Sequence, residues 1–314
     1  MKNKKKIIKE VLPKLKSILE SCTLCPRQCR VDRTKNELGF CKAGLLPCVY
    51  SYSPHHGEEP PLSGTKGSGT IFFTHCNMAC VYCQNYKFSQ LADEREISID
   101  ELADMMIHLQ DLNCHNINLV SPTHYVPQIV EALLTALEKG LSIPVVYNTG
   151  GYDSLEVIKL LDGIIDIYMP DMRYSDDGMA KKYSHALNYV KHNRNCVIQI
   201  QRQVGDLKID KFGIAIKGLI IRCLVLPRRI SGTDKTLEFI AKHISKNAYI
   251  SLMSQYYPAY KAREFKQISR RITAEEYDKA VKKLHELGLN KGWTQEAPID
   301  FDLWSFAGDN IKPR

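Results

Sequence analysis

The chain has no apolar run approaching the roughly 20 residues that span a bilayer. Its start, MKNKKKIIKEVLPKLKSIL, is basic but lacks the apolar core of about 7–15 residues that marks a secretory leader. Both absences make a cytoplasmic location the expectation. No repeat recurs at a fixed period of about 20–50 residues, and no tract is of low complexity. Solenoid architectures are therefore not expected. The 314 residues suit one large α/β domain with a small appendage, or two domains. Charge of one sign is only mildly in excess, with 43 basic and 35 acidic residues and a net charge of +8. That balance is compatible with an anionic ligand or RNA. The basic residues are scattered, however, except for the N-terminal lysines, and no RNA-stacking motif is present. There, Ile7, Ile8, Val11, Leu12, Leu15, Ile18 and Leu19 fall at helical spacing. The spacing predicts an amphipathic helix docked on the body, with its lysines in water.

Cysteine is not scarce. Eleven is a high count for a chain expected in a reducing compartment, where clustered cysteines more often mean metal or redox chemistry than disulfides. Four of them (Cys48, Cys114, Cys196 and Cys223) are isolated, and Cys114 and Cys223 lie in or beside apolar runs. These read as small core hydrophobes. The other seven form two clusters.

From residue 69 onward, runs rich in Val, Ile and Leu alternate with helical stretches. GTIFF, NINLVS, IPVVYNT, IDIYMPD, GLIIRCLVLP and AYISLMSQYYP read as six strands. This alternation predicts βα units around a parallel sheet. Residues 21–68, rich in Gly, Pro and Cys, read as loop. The expected division is 1–68 for the N-terminal helix and Cys-rich segment, 69–265 for a barrel and 266–314 for a C-terminal helix and aromatic tail. In parallel α/β folds the ligand site lies at the C-terminal strand ends. Cys76–Cys83, Ser121–His124, Asn148–Gly151, Asp171–Arg173, Arg228–Arg229 and Gln255–Tyr257 should therefore converge on one mouth.

HCNMACVYCQN places Cys76, Cys80 and Cys83 directly after the first of these strands. Thiolates suit iron–sulfur clusters or zinc. Three of them can hold three irons of a [4Fe–4S] cube and leave the fourth open, as a catalytic metal must be. A zinc knuckle that borrows His75 is the other reading. With Tyr82 before the last cysteine, CNMACVYC resembles the radical S-adenosylmethionine (SAM) superfamily. GSGTIFFTHCNMACVYCQNYKFSQ, NLVSPTHYVPQI and CTLCPRQC…GFC together resemble the PflX-like branch of proteins related to pyruvate formate-lyase activating enzyme. The likeness covers about residues 20–260.

The resemblance implies a partial (β/α)6 barrel and a [4Fe–4S] cluster on Cys76, Cys80 and Cys83. It implies SAM on the open iron, reductive cleavage to methionine and a 5′-deoxyadenosyl radical, and hydrogen abstraction from substrate. It further implies an electron donor such as flavodoxin or ferredoxin, and a glycyl radical enzyme as protein substrate. The family's Gly-Gly-Glu motif is replaced here by LVSPTHY, which makes Ser121, Thr123 and His124 the candidates at that place. YNTGG puts Asn148 where the family has an acid. PDMRY matches its Asp-Leu-Lys at Asp171 and Arg173, and LVLPRR resembles its VVPG segment. Ser121, Thr123, Asn148, Asp171 and Arg173 are thus the candidate SAM contacts, and an arginine can meet a carboxylate bidentately.

Cys22, Cys25, Cys29 and Cys41 form the second cluster of cysteines. They suit a four-thiolate zinc site or an auxiliary [4Fe–4S] cluster, against a loop without metal. SLMSQYYPAYKA and WTQEAPIDFDLWSFAG concentrate aromatics that pack a terminal segment or wall a substrate cavity. Two other functions stay open. One is a non-catalytic zinc or iron–sulfur module that binds RNA. The other is radical chemistry on a small molecule or an RNA base.

Overall fold

The computed structural model describes residues 2–91 and 95–296. Phe301, Trp304 and the rest of the tail lie outside the described residues. All six expected strands form: β2 (Ser68–Phe73), β3 (Ile117–Val120), β4 (Val145–Thr149), β5 (Ile167–Pro170), β7 (Ala215–Leu224) and β8 (Tyr249–Met253). They run parallel in the order β2-β3-β4-β5-β7-β8. Three further strands join the sheet. β1 (Val49–His55) lies antiparallel on β2, the short β6 (Lys208–Ile209) lies antiparallel on β7, and β9 (Gly292–Thr294) extends the parallel edge beyond β8. The loop reading of 21–68 is corrected by β1, whose alternating VYSYSPH pairs only through its neighbour, and by the helical turn α2 (Pro60–Ser63).

Helices fill the crossovers. α3 (Tyr86–Gln90) and α4 (Ile99–Asp111) follow β2, α5 (Val126–Glu138) follows β3 and α6 (Leu155–Leu160) follows β4. α7 (Asp177–Ser184) and α8 (Tyr189–Val204) follow β5, α9 (Thr233–His243) follows β7 and α10 (Ala274–Glu286) follows β8. Ser98 and Thr273 each start a helix with a reciprocal capping box. The lysine-rich N-terminus forms α1 (Lys2–Ser17) as the periodicity predicts. It packs on α5 with Ile8 and Leu15 buried, and Lys4 Nζ reaches Asp166 at 2.7 Å.

The two-residue period of the strands separates two cores. One strand face (Ile71, Phe73, Ile117, Leu119, Val145, Tyr147, Ile221 and Leu252 among it) packs on the helices in one core that runs from Ile8 to Leu289. The other face closes a small interior core of Val146, Ile167, Met169 and Ile220, plugged by Leu62 of α2. His55 pairs with Ser68, so the β1–β2 connection passes under the N-terminal strand ends. Two residues further along β4, β5 and β7, the same interior face turns polar at Asn148, Asp171 and Arg222. The result is an open partial β/α barrel with an apolar floor and a charged mouth. Among the described residues, no helix is long and apolar enough to cross a membrane.

Candidate metal and cofactor site at the barrel mouth

After Phe73 the chain leaves the sheet in a loop that carries the three cysteines into α3. His75 (φ 68°) and Ala79 (φ 54°) are left-handed, and each directly precedes a cysteine. Non-glycine residues adopt this conformation at a cost of roughly 1–3 kcal/mol, so the surroundings must impose it. Cys80 is buried, and Cys76 and Cys83 are partly buried. Each sulfur has a hydrogen-bonding neighbour. The Met78 N–H donates to Cys76 Sγ at 3.3 Å, and Ser89 Oγ lies 3.4 Å from Cys83 Sγ. Cys80 Sγ accepts from Ser184 Oγ at 2.8 Å and from Arg173 Nη1 at 3.2 Å. Behind Ser184 runs a chain of buried hydroxyls, with Ser184 Oγ 2.7 Å from Tyr174 Oη and Tyr174 Oη 2.6 Å from Tyr82 Oη. Burial pushes the Cys80 thiol up, and pushes that of Cys83 up to about 12. As free groups these thiols stay protonated, and a bound metal is what would hold them as thiolates.

Arg173 belongs to a charge network that spans the mouth. Its Nε meets Asp171 Oδ2 at 2.9 Å. The other Asp171 oxygen accepts from Arg222 Nε at 2.7 Å, and Arg222 Nη2 donates to Asn148 Oδ1 at 3.0 Å. Burial raises the Asp171 carboxyl, but Arg222 and Arg173 outweigh burial and hold it below the usual carboxylate range. Arg222 Nη1 also stands 3.9 Å from Glu58 in the floor connection. Burial outweighs that pairing and lifts the Glu58 carboxyl to about 7. Gly150 and Gly151 let the β4 tip approach. A Cβ at Gly150 would lie 2.9 Å from Met78 Sδ, and one at Gly151 (φ 75°) would lie 2.2 Å from the Asp171 carbonyl.

Of the candidate SAM contacts, Asn148, Asp171 and Arg173 join one network that reaches Cys80 through Arg173. Thr123 does not join them. Its hydroxyl donates to Asp153 at 2.7 Å beside Thr149 and Tyr147, on the helix-facing side of the sheet. Ser121 (φ 58°) stands partly buried at the β3 tip, its N–H bonded to Asn148 O at 2.9 Å. His124 is buried with Nε2 2.8 Å from Thr74 O, which ties the β3 tip to the start of the cysteine loop. Gln84 reaches the β8 tip at Gln255 O, 2.9 Å away. Arg228 and Arg229 turn elsewhere, lining a cleft of about 450 Å³ with Arg270 and Glu276. Three site residues were not anticipated. Arg222 has a signal in the sequence, as the single charge in GLIIRCLVLP, while Ser184 and Glu58 have none.

Cys22, Cys25, Cys29 and Cys41 lie on the same rim, because Arg33 Nη1 from that segment donates to His124 O at 2.7 Å. Among the described residues, no three His, Cys, Asp or Glu side chains draw in on a single metal ion, at either set of cysteines.

A family model described as the radical SAM superfamily matches residues 70–216, which carry the cysteine loop, β3 to β5 and Arg173. Those residues form a domain of the radical SAM superfamily. An uncharacterised protein of Methanocaldococcus jannaschii, MJ0674, is 33% identical over 286 residues, 88% of this chain and 77% of that protein. A second from the same organism, MJ0808, is 27% identical over 161 residues, 45% of this chain and 46% of that one. Among solved structures, the FeFe-hydrogenase maturase HydG from Carboxydothermus hydrogenoformans is similar in fold, with a TM-score of 0.50 and 14% identity. That match covers 71% of this chain and 52% of the HydG chain, so the chain spans about half the length of that structure.

Proposed function

We propose that the protein is a radical SAM enzyme whose Cys76, Cys80 and Cys83 hold a [4Fe–4S] cluster with one iron left for SAM. The observation that carries this reading is Cys80. Its sulfur, at the mouth of a parallel barrel and with two other cysteines on the same loop, already receives Ser184 and Arg173. Soft thiols with cationic and hydroxyl donors aimed at them fit a cluster, whose potential depends on hydrogen bonds to sulfur. Cluster and SAM, when bound, supply reductive cleavage and a hydrogen-abstracting radical.

The protein's own part is positioning. Arg173 offsets negative charge on Cys80 while Asp171 fixes its guanidinium. Asn148 and Arg222 present a polar edge, where an amino acid's carboxylate can be met bidentately. Thr123 drops out of this assignment because Asp153 engages it, and Ser121 stays at the rim. Glu58 and Arg222 lie on the floor side of the mouth, the side left for substrate.

The finer reading places the chain with the activating enzymes. A glycyl radical enzyme is then the partner to test first, and a flavodoxin or ferredoxin the electron donor.

The test is 5′-deoxyadenosine formation from SAM by anaerobically reconstituted protein with a strong reductant. The control is the variant Cys76→Ala/Cys80→Ala/Cys83→Ala. Product from the unaltered chain alone is expected. Its absence from a chain that has bound iron on these cysteines would overturn the proposal.

A further inference from the structure

We infer that Cys22, Cys25, Cys29 and Cys41 form a second metal centre, an iron–sulfur cluster ligated on all sides by protein and seated against the first cysteine loop. The segment that carries them has little regular structure. Between the turn at Ile18–Glu20 and β1 the one regular element is a 3-10 turn, Arg33–Lys35. Yet Cys22 and Cys25 are only 6% and 9% exposed. The thiols lie within electrostatic reach of one another: Cys25 of Cys41 and Cys22, and Cys41 of Cys22 and Cys29. None is in a disulfide.

The backbone is shaped around them. Cys22 exchanges hydrogen bonds with the returning chain, its N–H to Val31 O and its carbonyl from the Arg30 N–H, both at 3.0 Å. Gln28, Arg30 and Lys42 are left-handed, each next to or one residue from a cysteine. Gly39 lies so close to Cys29 that a Cβ there would stand 2.5 Å from its sulfur. Fixing such a segment costs about 1–2 kcal/mol per residue with little core in return. A metal cross-link is the usual compensation.

Two arginines supply positive charge. Arg33, 1% exposed, hydrogen-bonds Gly44 O and His124 O and lies against Cys22. Arg27 stacks on Phe40 at 3.3 Å, and donates from Nε to Asn77 O and from Nη2 to His185 O, both at 2.6 Å. It lies within electrostatic reach of Cys25, Cys41 and Cys76, so it bridges the two cysteine sets.

Metal content decides between zinc and a cluster. A tetrahedral zinc ion holds each thiolate at about 2.3 Å, so all four crowd around one point. A cube instead binds one iron to each of four thiolates. With four protein ligands it has no open iron for SAM.

The inference is independent of chemistry at the first loop. The test is iron, sulfide and zinc content, with electron paramagnetic resonance after reduction, on full-length chains reconstituted anaerobically. Three chains are compared: the unaltered one, Cys76→Ala/Cys80→Ala/Cys83→Ala, and one with Cys22, Cys25, Cys29 and Cys41 all changed to serine. About eight irons are expected in the first and about four in each of the others. The exposed Cys29→Ser alone should alter the second signal while leaving circular dichroism unchanged. About four irons in both the unaltered chain and the first variant would support this inference while overturning the assignment at the first loop. No iron in the first variant, or one zinc per chain in its place, would overturn it.

Discussion

Cys76, Cys80 and Cys83 leave the end of a central parallel strand, whereas Cys22, Cys25, Cys29 and Cys41 ride on a segment held mainly by turns and arginines. At the first set the sheet supplies the frame. β4, β5 and β7 deliver Asn148, Asp171 and Arg222, Arg173 follows the β5 tip, and every charge has more than one partner. At the second set two arginines do most of the fastening: Arg33 bonds Gly44 O in its own segment and His124 O in the barrel, and Arg27 bonds Asn77 O and His185 O. One region is held by side chains that share partners and the other by two arginines that share none, and that difference is open to mutation.

The largest effect should follow from Arg33→Met. It strands two carbonyls and removes charged hydrogen bonds worth about 1.5–3 kcal/mol each, a loss of at least roughly 3 kcal/mol. Arg173→Met should cost clearly less, because Asp171 keeps Arg222. Urea unfolding of both variants, without metal, checks the order. Equal losses would break the comparison.

A smaller effect lies at the joint between the two regions. Burial pushes the His124 imidazole down to about 3, from an ordinary value of 6.5. The unfolded chain therefore binds a proton there that the folded chain refuses. Stability is fully present above about 6.5 and is lost as pH falls from there toward 3. The slope is about 1.4 kcal/mol per pH unit. Moving from pH 7.5 to 5.5 should thus cost the unaltered chain roughly 1.4 kcal/mol more than His124→Gln. Matched urea midpoints at the two pH values measure the difference. An identical slope in both proteins would mean that His124 is not the titrating group.

The same contrast explains what was legible in the sequence. The six parallel strands are apolar runs buried on both faces, so composition alone exposes them. β1 is half polar with Pro54 inside, and β9 is three residues long; both exist only because a neighbouring strand pairs with them. The cysteine loop was legible because ligand spacing is local. Asn148 lies near the end of β4 and Asp171 and Arg173 just past β5, where resemblance could place them. Thr123 misled because a 3-10 turn rotates it to the helix-facing side, toward Asp153. Ser184 lies 104 residues from Cys80, and no local pattern links a serine at a helix end to a distant sulfur.

Ser184 also gives the finest test of the frame around the first set. Its hydroxyl closes the chain from Tyr82 through Tyr174 onto Cys80. A hydrogen bond to a cluster thiolate strengthens as the cluster takes up an electron, so the donor favours the reduced form. Ser184→Ala should therefore lower the reduction potential of the cluster at the first set. A neutral hydrogen bond contributes about 1 kcal/mol, which for one electron is roughly 40 mV. Tyr174→Phe, one step further along the chain, should shift it in the same direction by less. Potentiometric titration followed by electron paramagnetic resonance resolves both. The chain carrying serines in place of Cys22, Cys25, Cys29 and Cys41 is the background of choice, since a single signal remains in it. An unchanged potential in Ser184→Ala would mean that this hydroxyl serves packing alone, and would leave Arg173 as the side chain that tunes Cys80.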